Sequence, residues 1–239
     1  MYIAHFLFGI FGNATAMFLF LAPMITFKRF IWHKSTEQFS GVPYLMTLLS
    51  CLLFGWYGLP FVSPHNRLVS TISGSTGAAI EFTYVVIFII YTPKKEKAKI
   101  LGILTFVLTV FSIVALVSLF ALHGDTRKLF CGIAATIFTI IMYTSPLLIV
   151  GTVTRTKSVE FMPFFLSLFV FLSGTSWLIF GLLGHDPFVA VSNGFGCGLG
   201  AMQLMLYFIY RDNKKSTTPE ESVEMGLPKP HHVHQERHD

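Results

Sequence analysis

Apolar stretches of about 20 residues, separated by short polar clusters, run along most of this chain. At 1.5 Å rise per residue, a helix of that length crosses the hydrocarbon core of a bilayer. A helix satisfies its backbone polar groups internally, as lipid demands. The other spanning solution, a barrel, uses strands of about 10 residues with alternating polarity, which these uniform stretches do not match. They predict seven transmembrane helices at roughly 4–27, 43–62, 68–91, 100–122, 128–151, 163–183 and 188–210. The first has neither a basic leader nor a small-residue cleavage pattern, so it is expected to span rather than be removed. Seven crossings place the two chain ends on opposite sides of the membrane.

Composition agrees: 53% of residues are hydrophobic, 15% aromatic and only 12% charged, against about a quarter charged in soluble domains. The net charge of +5 matters through its placement. Lys28, Arg29, Lys34, Lys94, Lys95, Lys97, Lys99, Arg155, Lys157, Arg211, Lys214, Lys215, Lys229 and Arg237 fall on one side of the predicted topology, and Arg67, Arg127 and Lys128 on the other. Basic loops stay cytoplasmic, so this split predicts an N-terminus outside and a C-terminal tail in the cytosol. The polar tail, 212–239, is expected to be disordered. Its run His231, His232, His234 and His238 has no fixed ligand geometry and reads as a flexible surface tract rather than a metal site. Cys51, Cys131 and Cys197 lie within apolar stretches and are expected as small buried residues, not disulfide partners. The sequon at Asn13 falls inside a predicted helix.

The chain repeats itself at a shift of 123 residues. Pro23 pairs with Pro146, Ser35 with Ser158, Glu37 with Glu160, Ser50 with Ser173, and Gly58 with Gly181. Pro43 and Pro163 match at 120, as do Ser73-Gly74 and Asn193-Gly194. The expected domains are therefore a first three-helix repeat (1–92), a linker helix with its flanking loops (93–126), and a second three-helix repeat (127–211) ahead of the tail. An odd linker helix inserts both repeats with the same orientation. Parallel repeats of this kind build transporters whose substrate site lies between the halves near the midplane.

Within that frame a few residues carry chemistry. Pro23, Pro43, Pro146 and Pro163 lie near the cytosolic ends of their helices, where kinks around one axis would serve as a hinge or gate. Tyr57 has a hydroxyl that Asp186 in the short loop opposite can accept, an outer latch; equally, Trp56 and Tyr57 fit an interfacial aromatic belt. Glu81 is the main ionisable group at membrane depth and so a functional candidate, with a helix-packed carboxyl as the plain alternative. One such group is little for proton coupling, which favours passive transport of a neutral solute. Sugars suit such a site, since aromatic faces stack on C–H surfaces while amides and hydroxyls bond the sugar hydroxyls. Trp177, Asn193, Ser50, Ser173 and Ser73 supply that set, although each alone also fits ordinary helix packing.

The strings Gly12-Asn13-Ala14-Thr15, Phe20-Leu21-Ala22-Pro23, Lys34-Ser35-Thr36-Glu37, Ser158-Val159-Glu160-Phe161-Met162-Pro163 and Asn193-Gly194 resemble the SWEET sugar transporters, also called the MtN3/saliva family. The likeness spans residues 1 to about 211 and is nearest to the plant hexose-carrying clade. It implies an all-α membrane fold of two three-helix bundles joined by a linker helix. It makes the four prolines a cytosolic gate, and Tyr57 with Asp186 an outer gate whose closure Gly58 and Gly181 permit. It makes Trp177 a stacking aromatic and Asn193 a hydroxyl-binding amide, with Phe54 the opposing wall and Leu19, Ser50, Met142 and Ser173 lining the pocket. One string departs from the family pattern: Thr71-Ile72-Ser73-Gly74 has serine where asparagine is usual, with one extra residue before Gly77. The lost amide is worth about 0.5–1.5 kcal/mol per net hydrogen bond, and an added residue turns the rest of a helix by about 100°.

The expected function is bidirectional uniport of glucose-like hexoses at the plasma membrane by alternating access. Neither enzymatic chemistry nor a cofactor is expected, and the family likeness implies a homo-oligomer, commonly a trimer. A carrier of amino acids or another small solute on the same fold is the first alternative. A seven-helix receptor is the second, and a repeated three-helix unit speaks against it.

Overall fold

The computed structural model describes residues 2–36, 39–63, 69–159 and 162–211. The predicted tail, with its histidine run, and Glu37, Arg67, Glu160 and Phe161 lie outside these residues. The described residues form nine helical segments and no strand: α1 (Tyr2–Leu21), α2 (Met24–His33), α3 (Val42–Tyr57), α4 (Val69–Tyr91), α5 (Lys94–Phe120), α6 (Gly124–Met142), α7 (Thr144–Thr156), α8 (Phe164–Leu183) and α9 (Pro187–Tyr210). They make seven passes, because α1 runs into α2 and α6 into α7. Six passes are long and apolar enough to cross a membrane, and the seventh, α3, is a shorter apolar helix.

Proline explains both broken passes. Pro23 has no N–H for the carbonyl of Leu19 four residues earlier, and Pro146 has none for Met142. Each break is local, because the ladder resumes with Phe27 N–H donating to Pro23 O at 3.0 Å and Leu147 N–H to Tyr143 O at 3.0 Å. The first and fifth passes therefore run longer than the apolar pattern suggests, to His33 and Thr156. Both end in the same way. Lys34 (φ 51°) and Lys157 (φ 56°), 123 residues apart, are left-handed C-caps closing α2 and α7.

Pro43 and Pro163 do something different from the expected kinks. Pro43 lies in the first turn of α3, and Pro163 is the residue before α8. In those positions a missing N–H costs nothing, since helix starts have unpaired N–H groups anyway. They begin helices rather than bend them. At the other end of α3, the predicted span to residue 62 is cut short at Tyr57, after which the chain turns through Leu59 and Val62.

The packing follows the repeat. α4 lies against α1, α2 and α3, while α9 lies against α6, α7 and α8. Across the middle, α1 packs on α8 and α3 on α6. Exchanging the first, second and third passes for the fifth, sixth and seventh maps these contacts onto one another. The linker α5 rests chiefly on α3, with lesser contact to α6 and α4. Glycine allows the close approaches: a Cβ on Gly74 would run into the backbone of Gly55, and one on Gly181 would lie 2.6 Å from Ala190 N. The buried aromatic core gathers around Phe27, Phe30, Tyr84 and Phe88, with the Phe27 and Tyr84 rings stacked at 4.3 Å.

Candidate functional site

Between α1, α3 and α4 on one side and α6, α7, α8 and α9 on the other lies a cavity of about 410 Å³. All eight residues predicted to bind substrate line it: Leu19, Ser50, Phe54, Ser73, Met142, Ser173, Trp177 and Asn193. So do Pro23, Pro43, Pro146 and Pro163, none of them buried.

Each wall has a local origin. Trp177 is buried on α8 because its partner helix offers room: a Cβ on Gly12 of α1 would lie 2.9 Å from the indole Nε1. Phe180, one turn on, meets the Trp177 ring edge-on at 5.2 Å and fixes its tilt. Asn193 on α9 donates from Nδ2 to Val189 O at 2.9 Å. That bond holds the side chain along its own helix and leaves Oδ1 without a partner among the described residues. Ser50 is tied to Thr139 of α6 through an Oγ–Oγ1 contact of 2.5 Å, while Ser173 and Ser73 make no side-chain hydrogen bond among the described residues.

The altered string in α4 is absorbed without a bulge, since Val69–Tyr91 is one continuous α-helix. Ser73 and Gly77 are four apart, whereas Asn193 and Gly196 are three apart. Both spacings keep a pair on one helical face. Accordingly Ser73 lines the cavity, while Gly77 sits tightly against Phe20 and Cys51.

One turn beyond the lining residues Phe54 and Val189, two buried side chains meet. Tyr57 and Asp186 are 0% and 1% exposed, and the Tyr57 hydroxyl donates to Asp186 Oδ2 at 2.7 Å. The other carboxyl oxygen accepts from Phe188 N at 3.1 Å and Val189 N at 3.3 Å, the N-cap of α9. An Asp-Pro pair favours this cap, with proline in the first turn, and the positive helix end suits a carboxylate. That hydrogen bond joins α3 to the start of α9 through Asp186. Trp56 is also engaged, donating from Nε1 to Ser118 Oγ of α5 at 2.9 Å. Gly58 ends α3, its N–H bonded to Phe54 O at 3.0 Å. Gly181 packs on Ala190 within its own half.

Several lining residues escaped the sequence reading: Tyr44, Cys51, Thr139, Tyr143 and Gln203. Gln203 was visible in principle, since Asn193, Gly196, Gly200 and Gln203 are spaced three, four and three along one face. Thr139 gives no such signal, because its counterpart at the 123 shift is Ala16.

Residues 6–96 and 129–215 match the MtN3/saliva family model, described as a sugar efflux transporter for intercellular exchange. The chain is 72% identical over 214 residues to the bidirectional sugar transporter SWEET1 of Arabidopsis thaliana, covering 90% of this chain and 86% of that protein. It is 62% identical over 216 residues to SWEET1a of Oryza sativa subsp. japonica, covering 90% and 79%. A solved eukaryotic SWEET transporter superposes with a TM-score of 0.84 at 44% identity, over 88% of this chain and 98% of that one.

Proposed function

The chain belongs to the MtN3/saliva family of SWEET sugar transporters, and on that premise we propose that it carries glucose-like hexoses in both directions by facilitated diffusion. It is a transporter and not an enzyme. The observation that carries this reading is the cavity, lined by the eight predicted substrate-binding residues and by four prolines, with the buried Tyr57–Asp186 hydrogen bond one turn beyond its lining residues Phe54 and Val189. A site reachable from one side at a time is what alternating access requires. Trp177 and Phe54 offer flat apolar faces to sugar C–H surfaces, and Asn193, Ser73, Ser50 and Ser173 offer groups to hydroxyls. The bulk of Leu19 and Met142 favours a monosaccharide over a disaccharide.

Two repeats, 1–92 and 127–211, would rock about the cavity with 93–126 as linker. Pro23 and Pro146 would bend their passes, while Pro43 and Pro163 would mark where α3 and α8 pivot. The excess of Lys and Arg at the proline end supports a cytosolic placement of that end, with Tyr57 and Asp186 facing outward. Gly58 and Gly181 would let the outer ends close. By family likeness, the carrier works as a homo-oligomer in the plasma membrane.

The test is uptake of labelled glucose and labelled sucrose into proteoliposomes, with and without an imposed pH gradient. Saturable glucose uptake that ignores the gradient is expected. Selective sucrose uptake would overturn the hexose assignment, and gradient-driven uptake the uniport.

A further inference from the structure

Glu81 has no part in the pocket described so far, yet it lines the same cavity and is 4% exposed. Neither carboxyl oxygen makes a hydrogen bond among the described residues, and Oε2 is fully buried without a partner. An unpartnered carboxyl at membrane depth is costly. Its ionisable surroundings are the Tyr44 phenol and Cys51 thiol from α3 and the Tyr84 phenol on its own helix. Tyr84 is occupied, donating to Phe20 O at 2.9 Å. Tyr44 lines the cavity, and its hydroxyl has no hydrogen-bond partner among the described residues. From the other half, Gln203 of α9 is buried, lines the cavity and makes no side-chain hydrogen bond among the described residues.

The spacing along the helices separates these groups from the Trp177 level. Ser73 to Glu81 on α4 and Asn193 to Gln203 on α9 correspond to rises of about 12 Å and about 15 Å. A single pyranose cannot reach both levels. Two half-related helices thus present a carboxyl and an amide, both with spare capacity, between the pocket and the prolines.

We propose that Glu81 and Gln203, with the Tyr44 hydroxyl, form a second sugar-hydroxyl subsite on the path between the Trp177–Asn193 pocket and the proline end. It rests on the reading of the cavity as a sugar path. A carboxyl group both donates and accepts hydrogen bonds, and so does a glutamine amide, so each can bond a sugar hydroxyl from its own wall of the cavity. The substrate completes the hydrogen bonding that the fold leaves open.

The first test is equilibrium binding of labelled glucose to the full-length detergent-solubilised protein. Trp177→Ala should retain weak saturable binding, and Trp177→Ala with Glu81→Leu should retain none. If Trp177→Ala alone removes all binding, or adding Glu81→Leu changes nothing, the subsite does not exist. Glucose binding that persists while wild-type proteoliposomes carry no sugar would overturn the transport reading and leave the subsite standing. The second test is sided flux. Glu81→Leu should raise the half-saturating glucose concentration about tenfold from the proline face and leave that from the opposite face within about twofold. Glu81→Gln should recover most of that loss, since the amide still bonds hydroxyls. Equal loss from both faces with unchanged half-saturation would reduce Glu81 to a packing residue. Flux driven by a pH gradient in wild type and uncoupled in Glu81→Gln would make it a proton carrier instead, and the subsite would be rejected.

Discussion

Helices α3 and α8 hold corresponding places in the two halves, yet they are fastened to the rest of the protein by different chemistry. From α3, Ser50 bonds Thr139 of α6, Trp56 bonds Ser118 of α5, and Tyr57 bonds Asp186 at the start of α9. At the shift of 123, the α8 counterparts of Ser50, Phe54 and Tyr57 are Ser173, Trp177 and Phe180. There, rings replace hydroxyls. Phe180 stacks on His5 of α1 at 4.0 Å, Phe169 on Phe18 at 4.5 Å, and Trp177 covers Gly12. Hydrogen bonds are directional and lose their worth within a few tenths of an ångström, whereas ring contacts tolerate sliding. The seam through α3 is therefore pinned, and the seam between α1 and α8 is greased.

The largest effect should come from the greased seam, because one ring there is both packing and pocket wall. Trp177→Ala should abolish glucose flux in proteoliposomes and destabilise the protein by about 3–5 kcal/mol, as large core truncations do. Phe54→Ala, at the corresponding place on the less buried wall, should lower flux less. Equal losses in the two variants would show that the halves contribute symmetrically and that the contrast is only architectural.

Next in size is the pin at Asp186. Asp186→Ala removes an N-cap, about 0.5–2 kcal/mol, and orphans a buried phenol, about 1–3 kcal/mol more. Thermal unfolding in detergent should show that combined loss. Tyr57→Phe should cost only the single bond, because Asp186 keeps its backbone donors Phe188 and Val189. If the two variants melt alike, the cap contributes nothing and the latch is the whole of the interaction.

How much of this was legible in the sequence follows the same division. Apolar length shows the passes, and the paired prolines and Lys-Ser-x-Glu turns show the repeat, because those signals are local. The pocket residues Trp177 and Asn193 could be named because few polar or indole groups lie at membrane depth. What escaped is what depends on partners. No local signal says that Thr139 will meet Ser50, or that Pro43 starts a helix while Pro23 interrupts one. Glu81 drew notice as an ionisable group, but only the fold shows that neither of its oxygens is bonded among the described residues and that Gln203 shares its cavity.

A smaller effect should follow from crowding the greased seam without touching its rings. Gly12→Val places a branched side chain where Cβ alone would lie 2.9 Å from Trp177 Nε1. Overpacking of this kind costs about 1–3 kcal/mol. The indole must tilt, so glucose affinity should fall together with the melting temperature. Unchanged affinity in a destabilised Gly12→Val protein would mean that α1 yields and Trp177 keeps its place.

The smallest expected effect bears most directly on the contrast between the seams. Thr139→Val keeps the shape of the side chain and removes the hydroxyl that meets Ser50. Ser50 lines the cavity, where water can take over its bonding, so the stability loss should be about 1 kcal/mol. A double-mutant cycle with Ser50→Ala isolates the pair from its surroundings. If the bond is a pin, the cycle should show coupling of about 0.5–1.5 kcal/mol, and Thr139→Val should speed exchange between the two cavity orientations while glucose binding holds. The mirror experiment is Ala16→Thr, which puts a hydroxyl on α1 at the place corresponding to Thr139, opposite the α8 helix that carries Ser173. A second pin there should slow the same exchange. Should Thr139→Val and Ala16→Thr leave the exchange rate untouched, hydrogen bonds at mid-seam play no part in the rocking, and the difference between α3 and α8 lies wholly in the Tyr57 end.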